Sequence, residues 1–371
     1  MIRYSAPHYH HTAAAMSAYD ADDDAILTNP FFDALYVAFQ SERGRAGFAE
    51  DLRWAAGICS TTWREEQLWA GLVHVRRGRQ KRTHLMYAAR KGDVERVRWL
   101  LARGAPMELR DSKGSTALMY AAFENQDSVL RVLISAGANV NAANNNGSTL
   151  VFIASQNGSI DVLRTLIASG ADVSTAMNDG ATPVYIASLK GHEDILQALV
   201  AAGADVNKGN NNDSTPAFLA SQMGHVHILR ALIAAGADVD TTRYTGGSPV
   251  SIACRYGHVD IVRALIAAGA DVNAATNGGT TPIYIASYKG HVRIVLALIV
   301  AGADVNLSRA NGWTPLCIAS REGHVDVIQA LIAAGADINA ATSSGSTPLS
   351  VARAISPVSK IVSVLVAAGA R

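Results

Sequence analysis

Five histidines, His192, His225, His258, His291 and His324, follow one another at intervals of 33 residues. Imidazole is a common zinc ligand and a proton carrier near neutral pH, so this ladder is the first candidate for chemistry. The spacing argues against a shared metal. A constant interval gives each histidine its own structural unit, and packed helices stand about 10 Å apart. Ligands of one zinc ion each lie about 2 Å from it. The better reading is that each histidine holds a turn between two helices. His8, His10 and His11 are closer together, but they sit among small residues ahead of the acidic run Asp20–Asp24. That composition marks a solvated tail. Cys59, Cys254 and Cys317 show neither a disulfide framework nor metal-ligand spacing, and they fit a reducing compartment. The chain has no phosphate-cradling glycine loop followed by Lys-Ser/Thr, no Gly-x-Ser-x-Gly and no His-Glu-x-x-His. Its Asn-Gly and Gly-Gly pairs read as hairpin turns. No catalytic residue, metal site or cofactor is expected, and the chain is not expected to be an enzyme.

The elements that carry these histidines are legible from the same register. Thr83, Thr116, Thr149, Thr182, Thr215, Ser248, Thr281, Thr314 and Thr347 recur every 33 residues without insertion, and the glycines from Gly104 to Gly335 keep step. In the stretch from Gly246, Ser248-Pro249 is a helix start: the hydroxyl caps a free N–H, and proline suits the first helical position. Gly257 stops that helix. Glycine enters the left-handed conformation without a Cβ clash. A second helix follows His258, with Val259, Val262, Leu265 and Ile266 predicted on one stripe, and Gly269 ends it. Asp271-Val272-Asn273 then leads into a turn at Asn277-Gly278-Gly279. Ala253 and its counterparts keep the first helix narrow, so that a neighbouring helix can approach. Such units bury a core only against one another.

The pattern G-x-TPL-x-x-A followed by GH-x-x-I-V-x-x-L-I-x-x-GADVN resembles the ankyrin repeat. The resemblance covers residues 83–371 as nine units. It implies an all-α fold, an α-solenoid with short β-hairpin loops, and a protein-binding scaffold. One site departs from the family. Where ankyrin repeats usually carry the histidine of TPLH, this chain has Met86, Met119, Phe152, Tyr185, Phe218, Ser251, Tyr284, Cys317 and Ser350. A more apolar layer is expected there. The last unit has one residue more than the others and replaces Gly-His by Ser356-Pro357, as a C-terminal cap would.

Ahead of the repeats, residues 1–29 read as a disordered tail and residues 30–82 as a helical region. Within the latter, Leu52, Ile58, Cys59, Trp63 and Trp69 are similar to the second half of an F-box, which implies docking onto the adaptor of a cullin-type ubiquitin ligase. The opening Leu-Pro of an F-box is missing, and a plain helical cap over the first repeat is the preferred reading. The two do not exclude each other. The basic run Arg76–Arg82 reads as a solvated helix end before it reads as a nuclear import signal.

Charge and composition bound the partners. Thirty-two Lys and Arg against 31 Asp and Glu leave a net charge of +1, so no global field attracts nucleic acid or membranes. No apolar run approaches the length of a membrane span, and the N-terminus lacks the apolar core of a secretory signal. A monomeric cytoplasmic protein is expected, with the nucleus as the alternative. The resemblance to ankyrin repeats implies that partners touch the hairpin tips and the ends of the first helices, on the concave face. From the fifth unit to the ninth those positions gather aromatic and cationic residues: Arg243, Tyr244, Arg255, Tyr256, Tyr288, Lys289, Arg309, Trp313 and Arg321. Such residues anchor interfaces. They form the candidate site for an extended or helical protein segment bearing apolar and acidic side chains.

Overall fold

A computed structural model of the chain describes residues 81–243, 246–356, 358 and 360–371. The F-box-like positions Leu52, Ile58, Cys59, Trp63 and Trp69, the boundary at residue 29 and the candidate Tyr244 lie outside the described residues. Among the described residues there are 18 helices and no strand. The described residues fall into two compact units, one of residues 81–154 together with Ala168–Ala171, the other of Ser155–Ile167 and the described residues from Asp172 onward.

In the first compact unit, helices α1 (His84–Lys91), α2 (Val94–Leu101), α3 (Ala117–Phe123) and α4 (Asp127–Ser135) form two pairs. First helix packs on first helix, α1 on α3, and second on second, α2 on α4. The Oγ1 of Thr83 accepts the amide of Met86 at 3.2 Å, which satisfies one donor orphaned by the helix start. Arg82 is buried at 6% exposure. Its Nε donates to the Tyr120 hydroxyl at 2.8 Å, and that hydroxyl donates to Asp111 Oδ2 at 2.7 Å. Arg82, the last residue of the basic run, is thus an internal brace and not part of a free cationic surface. Residues 76–80 of the run lie outside the described residues.

The chain continues through α5 (Leu150–Asn157) and α6 (Ile160–Ala168). In the second compact unit the first helices are α7 (Pro183–Lys190), α9 (Pro216–Met223), α11 (Pro249–Tyr256), α13 (Pro282–Lys289), α15 (Pro315–Glu322) and α17 (Pro348–Ile355). The second helices are α8 (Glu193–Ala201), α10 (Val226–Ala234), α12 (Val259–Ala267), α14 (Val292–Val300), α16 (Val325–Ala333) and α18 (Lys360–Ala367). Each first helix here opens on proline behind a Thr or Ser cap, as Ser248 does by accepting the amide of Ser251 at 3.3 Å. The predicted stop at Gly257 has φ +79°, and its amide closes on the Ala253 carbonyl at 3.0 Å. Ala187, Ala220, Ala253, Ala286 and Ala319 are fully buried between first helices, as their size requires.

The second-helix stripe differs from expectation. Ile261, Val262 and Leu265 are the buried residues of α12, while Val259 and Ile266 are half-buried. Helix α12 packs on its own first helix α11 and on the second helices α10 and α14 on either side, so its buried face takes in Ile261 as well. Burying each such branched side chain contributes about 1.5–3 kcal/mol. The expected β-hairpins are four-residue turns: Asp213 donates its amide to the Asn210 carbonyl at 2.9 Å, and Gly312 to that of Arg309 at 2.8 Å. Among the described residues only Ala143 and Thr149 pair as an isolated antiparallel bridge. In the last pair Ile355 and Val366 are exposed.

Candidate functional site

The site is assembled by register. The last two positions of successive first helices form two rows, Leu189, Gln222, Arg255, Tyr288 and Arg321 beside Lys190, Met223, Tyr256, Lys289 and Glu322. Neighbouring first helices pack directly, so adjacent members of a row stand about one interhelical distance apart, about 8–10 Å. Tyr256 is 52% exposed and Tyr288 40%. The Tyr256 ring stacks on His258 with centroids 6.2 Å apart, and the Lys289 ammonium lies 5.0 Å from the Tyr288 centroid. Arg255, Lys289 and Arg321 are exposed at the same helix ends. Met223, 48% exposed, belongs to this surface. It was missed as a site residue, although it holds the register of Tyr256.

The hairpin candidates are placed differently. The Arg243 guanidinium lies over the Phe218 ring at 5.0 Å and that of Arg309 over Tyr284 at 5.6 Å. Both arginines are half-buried, so their main work is to cover aromatic rings of the first helix 25 residues earlier in the chain. Arg321 covers Trp313 at 4.9 Å and pairs with Glu322 at 2.7 Å. Trp313 is half-buried and partly screened by that arginine. The surface left open is centred on Met223, Arg255, Tyr256, Tyr288 and Lys289.

The layer that replaces the TPLH histidine is buried from Met86 to Cys317, whereas Ser350 is exposed. It is less apolar than composition suggests, because polar tips close it. Asn210 Nδ2 donates to the Tyr185 hydroxyl at 3.1 Å. Burial raises the Tyr284 pKa, and Arg309 partly offsets the rise. In three cases the pair is separated by 25 residues: Tyr185 with Asn210, Phe218 with Arg243, Tyr284 with Arg309. That offset is the signal that would have revealed them.

The histidine ladder does not hold the turn of its own repeat. Nε2 of His192, His225, His258 and His324 faces the backbone carbonyl of Gln156, Leu189, Gln222 and Tyr288 at 3.1–3.3 Å, each in the preceding repeat. A carbonyl only accepts, so the ring must carry its proton on Nε2. Burial holds the His291 pKa below its ordinary value, as expected of a ring wedged between repeats. The rings also lie on glycine: a Cβ at Gly224 would stand 2.8 Å from His258 Cε1. Among the described residues no three His, Cys, Asp or Glu side chains converge as a metal site, and no helix is long and apolar enough to cross a membrane.

Helix pairs that bury their apolar faces only against neighbouring pairs define a repeat protein. Seven overlapping segments, from 68–144 through 283–371, match the family model for ankyrin repeats in three copies, and together they cover residues 68–371. The chain belongs to the ankyrin-repeat family. Trp69 falls within the first matched segment, while Leu52, Ile58, Cys59 and Trp63 precede it. No curated protein matches the chain.

Proposed function

We propose that the chain is a protein-binding scaffold without catalytic activity, which holds a partner segment along the first-helix ends of the second compact unit. Ankyrin repeats are protein–protein interaction modules. The observation that carries this placement is the exposure of Tyr256 and Tyr288 beside Arg255 and Lys289. Exposed tyrosines supply large contact area at small entropic cost, and the cations select carboxylates. The partner is an extended or helical segment with apolar and acidic side chains. Arg243, Arg309, Trp313 and Arg321 shape the rim, and Tyr244 belongs to the same hairpin row by sequence. The scaffold acts as a monomer in the cytoplasm, where the free thiols of Cys254 and Cys317 stay reduced.

The test is affinity capture from cell extract with wild type beside Tyr256→Ala/Tyr288→Ala/Trp313→Ala. Partners should be lost from the variant while its far-ultraviolet circular dichroism is unchanged. An unaltered set of captured proteins removes this site. A second reading, a substrate receptor of a cullin-type ubiquitin ligase, rests on Leu52, Ile58, Cys59, Trp63 and Trp69. Its test is Trp63→Ala/Trp69→Ala: loss of a cullin and its adaptor from the capture supports it, and their absence from the wild-type capture rejects it.

A further inference from the structure

The outward side of the second helices carries a departure from the repeat that the first-helix surface does not use. At one exposed position the chain writes Arg164, Gln197, Arg230, Arg263 and Gln329, but α14 has Leu296 there. Four residues on, where Ala234, Ala267 and Ala333 stand in other helices, α14 has Val300. Residues four apart share a helix face, and both side chains stand in solvent, Leu296 at 48% and Val300 at 89% exposure. Single exposed apolar residues are ordinary. These two are adjacent, and they wall a shallow groove of about 460 Å³ between α12 and α14, with Ile266 and Ala297 in its floor and Arg263 and Arg293 on its rim. The groove is cationic as well as apolar. Helix α14 has no acid, and the one acid of α12, Asp260, lies 3.9 Å from Arg263 and is exposed with it.

We propose that this groove is a second docking surface, taking an amphipathic acidic helix from a protein partner. The channel between two parallel ridges of side chains suits a helix. Leu296 and Val300 would receive its apolar stripe, and Arg263 and Arg293 the flanking carboxylates. A second copy of this chain is the poorer occupant, because a two-fold contact sets the patch against itself, arginine facing arginine.

The test uses phage-displayed peptides of about 18 residues, long enough to hold a helix, randomised on one face. Selection is run on the full chain and in parallel on Leu296→Arg/Val300→Ala. That variant writes residues that other repeats already carry at these exposed positions, arginine as in Arg230 and Arg263 and alanine as in Ala234 and Ala267, so its fold is not at stake. Peptides enriched on wild type alone should carry an apolar i, i+4 stripe flanked by Asp or Glu. Synthesised and read by fluorescence anisotropy, they should bind the variant at least tenfold more weakly and bind Tyr256→Ala/Tyr288→Ala as tightly as wild type. Equal enrichment on both proteins, no enrichment, or enrichment of basic or uncharged stripes overturns the proposal. So does sedimentation in which wild type dimerises and the variant does not, which would give the groove to a second copy.

Discussion

Replacing Gly224 by alanine should cost more than replacing Gly236, and the excess should belong to His258. Both glycines are left-handed, at φ +76° and +84°, so alanine at either pays the same conformational strain of about 1–2 kcal/mol. At Gly236 a Cβ meets nothing within 4 Å, and the strain is the whole effect. At Gly224 a Cβ would lie 2.8 Å from Cε1 and 2.9 Å from Nδ1 of His258. The ring must then move and surrender its 3.2 Å contact with the Gln222 carbonyl. That adds about 0.5–1.5 kcal/mol, for a total of about 1.5–3.5 kcal/mol at Gly224. In a His258→Ala background the clash is gone, and Gly224→Ala should fall back to the cost of Gly236→Ala, a coupling of about 1 kcal/mol. Urea unfolding of the four variants, followed by far-ultraviolet circular dichroism and hydrogen exchange, measures the cycle. If Gly224→Ala and Gly236→Ala agree within about 0.5 kcal/mol, or His258→Ala brings no relief, the ring does not rest on the glycine and the reasoning fails.

Tyr120→Phe removes the hydroxyl between Arg82 and Asp111 and should destabilise the first compact unit by about 1–3 kcal/mol at neutral pH. Burial, then the Asp111 charge, raises the Tyr120 pKa, so the folded state keeps a proton that the unfolded chain releases above about pH 10. Wild-type stability should therefore fall as pH rises past that point, and a Tyr120→Phe profile of the same slope would refute the assignment. Cys254 and Cys317 are fully buried, with burial pushing both thiol pKa values up. In a Cys59→Ser background a thiol reagent should modify them only as fast as the protein opens, and labelling at the rate of a free cysteine would contradict their burial. Asn306 accepts the Asp337 amide at 2.7 Å and donates to the Gly335 carbonyl at 3.3 Å. Asn306→Ala should cost about 1 kcal/mol and speed exchange of the Asp337 amide; an unchanged rate would mean that water replaces the brace without loss.

Much of the fold was legible because the chemistry of helix ends is local. A hydroxyl, a proline and a left-handed glycine act on their own backbone, and the helix read between Ser248 and Gly257 is the helix found, Pro249–Tyr256. What crosses between repeats was not legible in that way. Spacing placed the histidines in register but could not say that each ring reaches back 36 residues to a carbonyl. The residue types of Arg243 and Arg309 suggested open cations, and the rings they cover, 25 residues earlier, became visible only once each hairpin lay beside its first helix. The candidate site was read as a set of positions, and burial divides it: Tyr256 and Tyr288 stand open, while Trp313 sits partly beneath Arg321.

The His–carbonyl and Asn–amide braces all connect a repeat to its immediate neighbour at one fixed register, which makes chain length itself a heritable variable. Loss of residues 240–272 removes one period of 33 residues and rejoins Val239 to Asn273. His291 then meets the Gln222 carbonyl that His258 used, and Asn273 keeps the Asp304 amide it already holds. No brace is left without a partner, yet Arg255 and Tyr256 are gone. Unequal recombination between such repeats can thus delete or duplicate part of a recognition surface in a single step, with the fold as bystander.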